Sequence, residues 1–319
     1  MINYENIKKN YLKYLKYNKK VYAVLKANAY GHGLLNIYRL LKELGCNNYC
    51  LIDVNDCILL RKQNKDINIL FIDIIDNYDL LVENEITISI NNLNILNKLL
   101  YYNKKIKIQI NLNLGFNRFG INLKDFNYVL NKIQNSKLIL TGIYTHIPVT
   151  SKDGRYKKIR NQFLNMVKNF KNIDLHYASS QGLFDDDISN SIRIGIGLYD
   201  YYPSLYVYSK IIKIFNLKRF KSFGYDYKYR SIFNKRIAIL NLGYYNGLKR
   251  KNKGRYVYIN KKKYKIVGNI CMNHAFIKID KKIKLNDIVE VLGDNITLDY
   301  LAKYLKTTRH EVLLDFLKK

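Results

Sequence analysis

Residues 20–45 read KVYAVLKANAYGHGLLNIYRLLKELG. An apolar, β-branched run leads to Lys26, so the spacing predicts a strand over residues 21–26. Beyond it, GLLNIYRLLKELG places apolar residues at helical spacing. One strand followed by one helix is the unit of a parallel α/β fold, and the chain repeats it. Further strands are predicted at 49–54, 67–72, 86–90, 106–113, 138–146, 174–180 and 192–198, with helical patterns such as NNLNILNKLLYYNKK, LKDFNYVLNKIQN and KKIRNQFLNMVKNFKN between them. Eight strands with such connections predict a closed (β/α)8 TIM barrel, although an open doubly wound sheet shares the pattern.

After about Tyr202 the rhythm changes. KIIKIFNL, KRIAILNLG, RYVYI, KKYKIVGNICM, HAFIKID and DIVEVLG follow one another with turns and no long helix. That succession predicts a second, all-β domain, giving boundaries at 1–202 and 203–319. A final helix is expected over LDYLAKYLKTTRHEVLLDFLKK.

The composition bounds the function. With 319 residues, 48% hydrophobic and 25% charged, the chain can bury full cores. No run of about 18 apolar residues marks a membrane span. The first twenty residues lack the apolar core and cleavage site of a signal peptide, and the four cysteines form no CxxC pair, so a cytoplasmic protein with reduced thiols is expected. The net charge of +30 would ordinarily suggest nucleic acid. Here it accompanies 30 Tyr, no Trp and two Pro, and it is spread along the chain. Lys, Asn, Ile and Tyr share AT-rich codons, so compositional drift accounts for the surplus. Lys/Tyr-rich stretches such as KKKYK have no RNP-type string, helix-turn-helix signature or zinc-ligand spacing beside them.

In a barrel of this kind the chemistry lies at the C-terminal ends of the strands. Taken in order, those ends carry Lys26, Arg118 in GFNRFG, His146, Ser179–Ser180, and Arg193 with Gly195 and Ile196. A lysine held among apolar walls has a lowered pKa and can form a Schiff base with an aldehyde cofactor. Loops after the seventh and eighth strands commonly bind phosphate, and glycine lets backbone approach an anion.

AVLKANAYGHG, residues 23–33, resembles the pyridoxal-phosphate attachment motif of the alanine racemases. GFNRFG, IYTH, ASS, RIGIGLYDYYPS, GYYNG and GNICMN resemble the same family in the same order, from about residue 5 to 315. The resemblance implies the barrel plus β-domain architecture, pyridoxal 5′-phosphate, and a homodimer in which each second domain completes the partner's site. It implies that Lys26 is the Schiff-base lysine and one of two bases, and that Tyr244 is the other. Tyr30, Ser180, Gly195 and Ile196 correspond to the phosphate cradle. Arg193 corresponds to the arginine on the pyridine nitrogen, and His146 to a histidine that supports it and packs beside the ring. Arg118 corresponds to a contact with the substrate carboxylate and lies near the phenolic oxygen, and Met272 corresponds to the residue whose backbone amide touches that carboxylate from the partner chain. The activity implied is interconversion of L- and D-alanine, supplying D-alanine for peptidoglycan. Serine or broader amino-acid racemisation, or a catalytically weakened pyridoxal-phosphate carrier, are the alternatives; a carrier has no need of a second base.

Several positions depart from the family's pattern. Asn111 stands where many members carry a carbamylated lysine. Asn113 and Leu114 replace Asp-Thr, and Asn246 and Asn273 each replace Asp. Lys318 falls where many members carry a tyrosine touching the phosphate.

Overall fold

The computed structural model describes residues 1–180, 182 and 187–317, so Lys318 lies outside the described residues. Two compact units emerge: one comprises Lys8–Ala29 and Gly33–Leu198, the other Met1–Ile7, Tyr30–His32 and Tyr199–Lys319.

The first unit contains eight strands: β1 (Lys20–Val24), β2 (Asn48–Leu51), β3 (Asn68–Phe71), β4 (Thr87–Ile90), β5 (Ile106–Leu112), β6 (Leu138–Thr145), β7 (Asp174–His176) and β8 (Ser191–Ile194). All neighbouring pairs are parallel, in the order β7-β6-β5-β4-β3-β2-β1-β8. The Arg193 N–H, donating to the Ala178 carbonyl at 3.2 Å, links the two ends of the ladder into a barrel. The helices follow from their spacing. Leu34–Glu43 buries Leu34, Ile37, Tyr38 and Leu41 on one face. Leu93–Tyr101 starts where Asn92 Oδ1 accepts the Ile95 N–H and buries Ile95, Leu96 and Leu99.

The expected strands all form, with shorter ends than the apolar runs suggest. Three of these differences matter. β1 ends at Val24, and Lys26 opens a separate turn. The run 192–198 divides into β8 and a short helix at Gly197–Asp200, because the chain turns at Gly195. Helices Tyr4–Leu15 and Val54–Gln63 form outside the helical patterns identified above.

In the second unit, β9 (Val207–Leu217) is followed by a small hairpin, β10 (Ser222–Phe223) and β11 (Tyr229–Arg230). Then come β12 (Lys235–Leu240), β13 (Tyr256–Ile259), β14 (Lys262–Val267), β15 (Ala275–Ile279) and β16 (Ile288–Leu292). Six of these close an antiparallel barrel in the order β12-β15-β14-β13-β16-β9. Alternate residues fill it, among them Ile211, Leu240, Val257, Ile266, Ile277 and Val289. The expected terminal helix is two: Leu298–Leu305 ends at Lys306, left-handed at φ 53°, and Arg309–Leu317 follows. Among the described residues no helix is long and apolar enough to cross a membrane.

One cap tests the helix logic directly. The Asp53 carboxylate accepts N–H bonds from Asn55 at 2.8 Å and Asp56 at 3.1 Å, at the start of Val54–Gln63. Asp53→Ala is expected to cost about 1 kcal/mol of stability, and Asp53→Asn to retain most of it. Denaturant unfolding of the two variants measures this, and equal losses would contradict the capping role.

Candidate active site

Lys26 sits in a strained piece of backbone. Ala27, Asn28, Ala29 and Tyr30 have φ of 53°, 54°, 53° and 55°, a left-handed turn made without glycine. Each such residue costs roughly 1–2 kcal/mol, so the surroundings must enforce the turn. They do so with hydrogen bonds at both ends. The Ala29 N–H donates to the Leu25 carbonyl at 2.9 Å and the Gly33 N–H to the Asn28 carbonyl at 3.1 Å. Asn28 Oδ1 accepts the Leu34 N–H at 2.7 Å, tying the turn to the next helix. Strain of this kind gathers where a side chain must be aimed.

The aimed side chain is Lys26. Burial lowers its pKa below the usual lysine range, the Arg118 charge lowers it further, and Asp73 opposes both. A larger fraction of the amine is therefore neutral and nucleophilic. Arg118 lies on the exposed loop after β5, its guanidinium 4.4 Å from the Phe116 ring centroid and 5.5 Å from that of Phe119. Asn113 orders this loop, its Oδ1 accepting N–H bonds from Gly115 at 3.2 Å and Asn117 at 3.0 Å. Gly120, at φ +120°, has the Asn113 nitrogen 2.7 Å from where a Cβ would sit, so the loop closes only on glycine.

His146 follows β6 with its ring edge on Phe116, centroids 5.2 Å apart. Burial first, then the charges of Arg193, Arg118 and Lys26, push its pKa down to about 4, so it is neutral at pH 7. Arg193 is only 6% exposed. Its Nη2 donates to the Thr145 carbonyl at 2.7 Å, and its Nη1 donates to His176 Nδ1 and to the His176 carbonyl at 3.3 Å. Its guanidinium also lies 4.5 Å from the Tyr144 ring centroid. The histidine that supports Arg193 is thus His176 on β7, which corrects the expectation placed on His146. The reason is positional. The β7 and β8 ends are neighbours, whereas His146 lies past β6 against Phe116.

Ser180 and the turn after β8 form a compact unit. Ser180 Oγ accepts N–H bonds from Gly195 at 3.1 Å and Gly197 at 3.0 Å, while the Tyr14 hydroxyl donates to the Ser180 carbonyl at 3.1 Å. A Cβ on Gly197 would lie 2.2 Å from the Tyr14 hydroxyl and 2.8 Å from Ser180 Cβ. Ile196 is buried between the two glycines.

The first unit therefore brings together Lys26, Arg118, His146, Ser180, Arg193, Gly195 and Ile196 at one end of its strands. The remaining candidates belong to the second unit. Tyr30 is buried, with ring centroids 5.3 Å from Tyr199 and 5.6 Å from His310. Tyr244 and Met272, 42% and 53% exposed, are held side by side. The Tyr244 N–H donates to the Cys271 carbonyl at 3.0 Å and the Tyr245 N–H to the Met272 carbonyl at 2.9 Å. Gly243 permits this approach, since its Cβ would fall 2.2 Å from the Met272 carbonyl oxygen. Asn246 Oδ1 accepts the Gly243 N–H at 3.2 Å and closes the turn that presents Tyr244.

Sequence reasoning missed His176, Tyr14, Thr145 and Gly197. The signal for His176 was its position two residues before the ASS block. Tyr14 carried none, because its contact arises only when the N-terminal helix meets the loop after β7.

The family model described as "Alanine racemase, N-terminal domain" matches residues 2–203, and "Alanine racemase, C-terminal domain" matches residues 205–319. The chain is 30% identical over 321 residues to the alanine racemase of Fusobacterium nucleatum, covering 93% of this chain and 89% of that protein. It is 29% identical over 326 residues to that of Borreliella burgdorferi, covering 92% and 88%. The fold is similar to the crystal structure of alanine racemase from Bartonella henselae with covalently bound pyridoxal phosphate, with TM-score 0.92 and 21% identity over 99% of this chain and 96% of that one. Two consecutive family matches spanning both units make this chain an enzyme of the alanine racemase family.

Proposed function

We propose that the protein interconverts L- and D-alanine with pyridoxal 5′-phosphate, as a cytoplasmic homodimer supplying D-alanine for peptidoglycan. The observation that carries the reading is the set of groups around Lys26. An amine whose pKa burial lowers, on a strained turn, shares one barrel rim with a buried guanidinium, a neutral histidine and a glycine-serine cradle.

The residues fit this cofactor group by group. Lys26 offers an amine to the aldehyde. Arg193 offers N–H donors to the pyridine nitrogen. Ser180, Gly195, Ile196 and Tyr30 suit the phosphate, and the lack of room for a Cβ at Gly197 shows how tightly that turn is drawn in. When bound, the cofactor supplies an electron sink for the substrate's α-carbon.

The chain's own residues supply the rest. Arg118 presents a cation with fork geometry to the substrate carboxylate and beside the cofactor's phenolic oxygen, and the partner's Met272 offers its backbone amide to the same carboxylate. Arg193 keeps its proton at neutral pH, so it donates a hydrogen bond without protonating the ring nitrogen, which restrains side reactions. Inversion requires a proton to leave one face of the α-carbon and another to arrive on the opposite face. Lys26 Nζ takes or gives the proton on one face, and the hydroxyl of the partner's Tyr244 does so on the other.

Lys26→Ala is expected to abolish both the visible absorbance of lysine-bound cofactor and the formation of D-alanine from L-alanine. Tyr244→Phe should keep the absorbance and slow both directions by about 10²–10⁴-fold. Full cofactor occupancy with no D-alanine from the unaltered protein would overturn the reading, and faster turnover of L-serine would reassign the substrate.

Mixing the two inactive variants tests the shared site. In a homodimer whose sites combine Lys26 of one chain with the partner's Tyr244, half of the re-assorted dimers are mixed and each carries one intact site. Activity should return to about a quarter of the unaltered level. No recovery after subunit exchange would place both bases on one chain.

A further inference from the structure

The interior of the eight-stranded barrel holds a line of buried polar groups that the reaction as described does not use. Arg193 Nη1 donates to His176 Nδ1. His176 Nε2 lies 2.8 Å from Gln109 Oε1, and Gln109 Nε2 donates to the Tyr22 hydroxyl at 3.1 Å. The Tyr22 hydroxyl in turn donates to Asp174, whose other oxygen pairs with Lys20 at 2.6 Å. Gln109 is 1% exposed, His176 0% and Tyr22 3%, so water does not substitute for any of these partners.

Both ends of the line fix its direction. The Asp174 carboxylate, paired with Lys20, only accepts, so Tyr22 must donate its proton to it. Tyr22 then has only lone pairs to offer Gln109, which must turn its NH₂ toward Tyr22 and its carbonyl toward His176. That carbonyl only accepts, so His176 Nε2 carries a hydrogen. From the other end, a guanidinium only donates, so His176 Nδ1 is bare. The two deductions agree on one tautomer.

The backbone is shaped around Gln109. The β5–β6 register slips between Ile108 and Gln109, leaving Thr141 as the extra residue of a bulge. Opposite Gln109 stands Gly142, where a Cβ would lie 2.8 Å from Gln109 Cδ and 2.9 Å from its Nε2. The His176 ring is stacked between Tyr22 and Tyr144, at centroid distances of 5.3 and 5.0 Å, which opposes rotation of the ring.

We propose that Gln109, oriented by Tyr22 and Asp174, is a positioning residue: it accepts the Nε2–H of the neutral His176 and thereby anchors the ring whose Nδ1 sets where the Arg193 guanidinium points. Its consequence for turnover rests on the assignment of Arg193 to the cofactor's pyridine nitrogen. The tautomer does not rest on it.

The test is ¹⁵N NMR of the protein labelled at histidine, without added cofactor, with the His176 signals identified by their loss in His176→Gln. At neutral pH the unaltered protein should show a protonated Nε2 and a bare Nδ1. Gln109→Leu leaves Arg193 donating to Nδ1 and so should keep that tautomer, but it should shift the Nε2–H signals, which lose their acceptor, and Gln109→Glu, which keeps an acceptor, should restore a hydrogen-bonded Nε2–H. Should Gln109→Leu not fold, Tyr22→Phe removes only the hydroxyl that orients the amide and should shift the same Nε2–H signals. In the cofactor-loaded enzyme, Gln109→Leu should lower kcat about tenfold, with KM changed less than twofold, the order expected when a buried donor loses its acceptor. A cationic or Nδ1-protonated His176 in the unaltered protein overturns the proposal. So do unchanged His176 Nε2–H signals in Gln109→Leu and Tyr22→Phe, or shifted signals with unaltered kcat. If the unaltered protein binds no cofactor, the functional reading fails and the tautomer result stands by itself.

Discussion

Arg193 carries a positive charge at neutral pH, although burial lowers its pKa from the ordinary arginine value, and the fold buries it almost completely. Such a charge survives in an interior only when its N–H groups meet acceptors and when neighbouring groups stay uncharged or negative. Thr145 and His176 supply the acceptors, and the Tyr144 ring face adds electron density. The same charge acts back on its surroundings. After burial itself, Arg193 is the largest influence keeping His146 and His176 unprotonated, which preserves His176 as an acceptor. Charge and acceptor therefore sustain each other.

This constraint explains why the barrel interior is not simply aliphatic. Along β5, Ile106, Ile108, Ile110 and Leu112 alternate with Lys107, Gln109 and Asn111, and the polar parity belongs to the interior. Ser89 Oγ lies 2.7 Å from the Tyr144 hydroxyl and donates to Asn91, whose Oδ1 also accepts the Asn111 side chain at 2.9 Å. Buried polar networks cost stability unless every member is satisfied. Here the members specify one arrangement of rings and amides.

The eight strands and the change to an all-β second unit were legible because periodicity reports burial, and burial is what these elements share. Lys26 and Arg193 were legible because strand ends in such a barrel converge. What stayed hidden was pairing. His176 and Gln109 lie 67 residues apart, and nothing local to either marks the other. The break at Lys306 was hidden for a different reason. LAKYLKTTRHEVLL is apolar at helical spacing on both sides, and only the left-handed backbone at one lysine divides it. Strand ends were overestimated wherever an apolar run continued into a turn, as at Leu25 and Ile196, since burial does not stop where hydrogen-bonded pairing stops.

Asn111, Asn113 and Asn246, where the chain was expected to depart from the family's pattern, differ in what their amides do. At Asn246 the working atom is Oδ1, which accepts a backbone N–H, and an amide carbonyl performs that task as a carboxylate does; Asn113 Oδ1 accepts two such groups while its NH₂ donates to Asn117 Oδ1 at 3.0 Å and Asn122 Oδ1 at 3.2 Å. Asn111 also donates, its NH₂ bonding to Asn91, and a carboxylate there would face an acceptor with no proton between them. Asn91 accepts from Ser89 and Asn111 through the same oxygen and donates to the Ile72 and Asp73 carbonyls, so its orientation is fixed from four sides. At Asn246 only an acceptor is needed. Where a donor is required, beside the buried network that holds Arg193, the amide itself is the functional group.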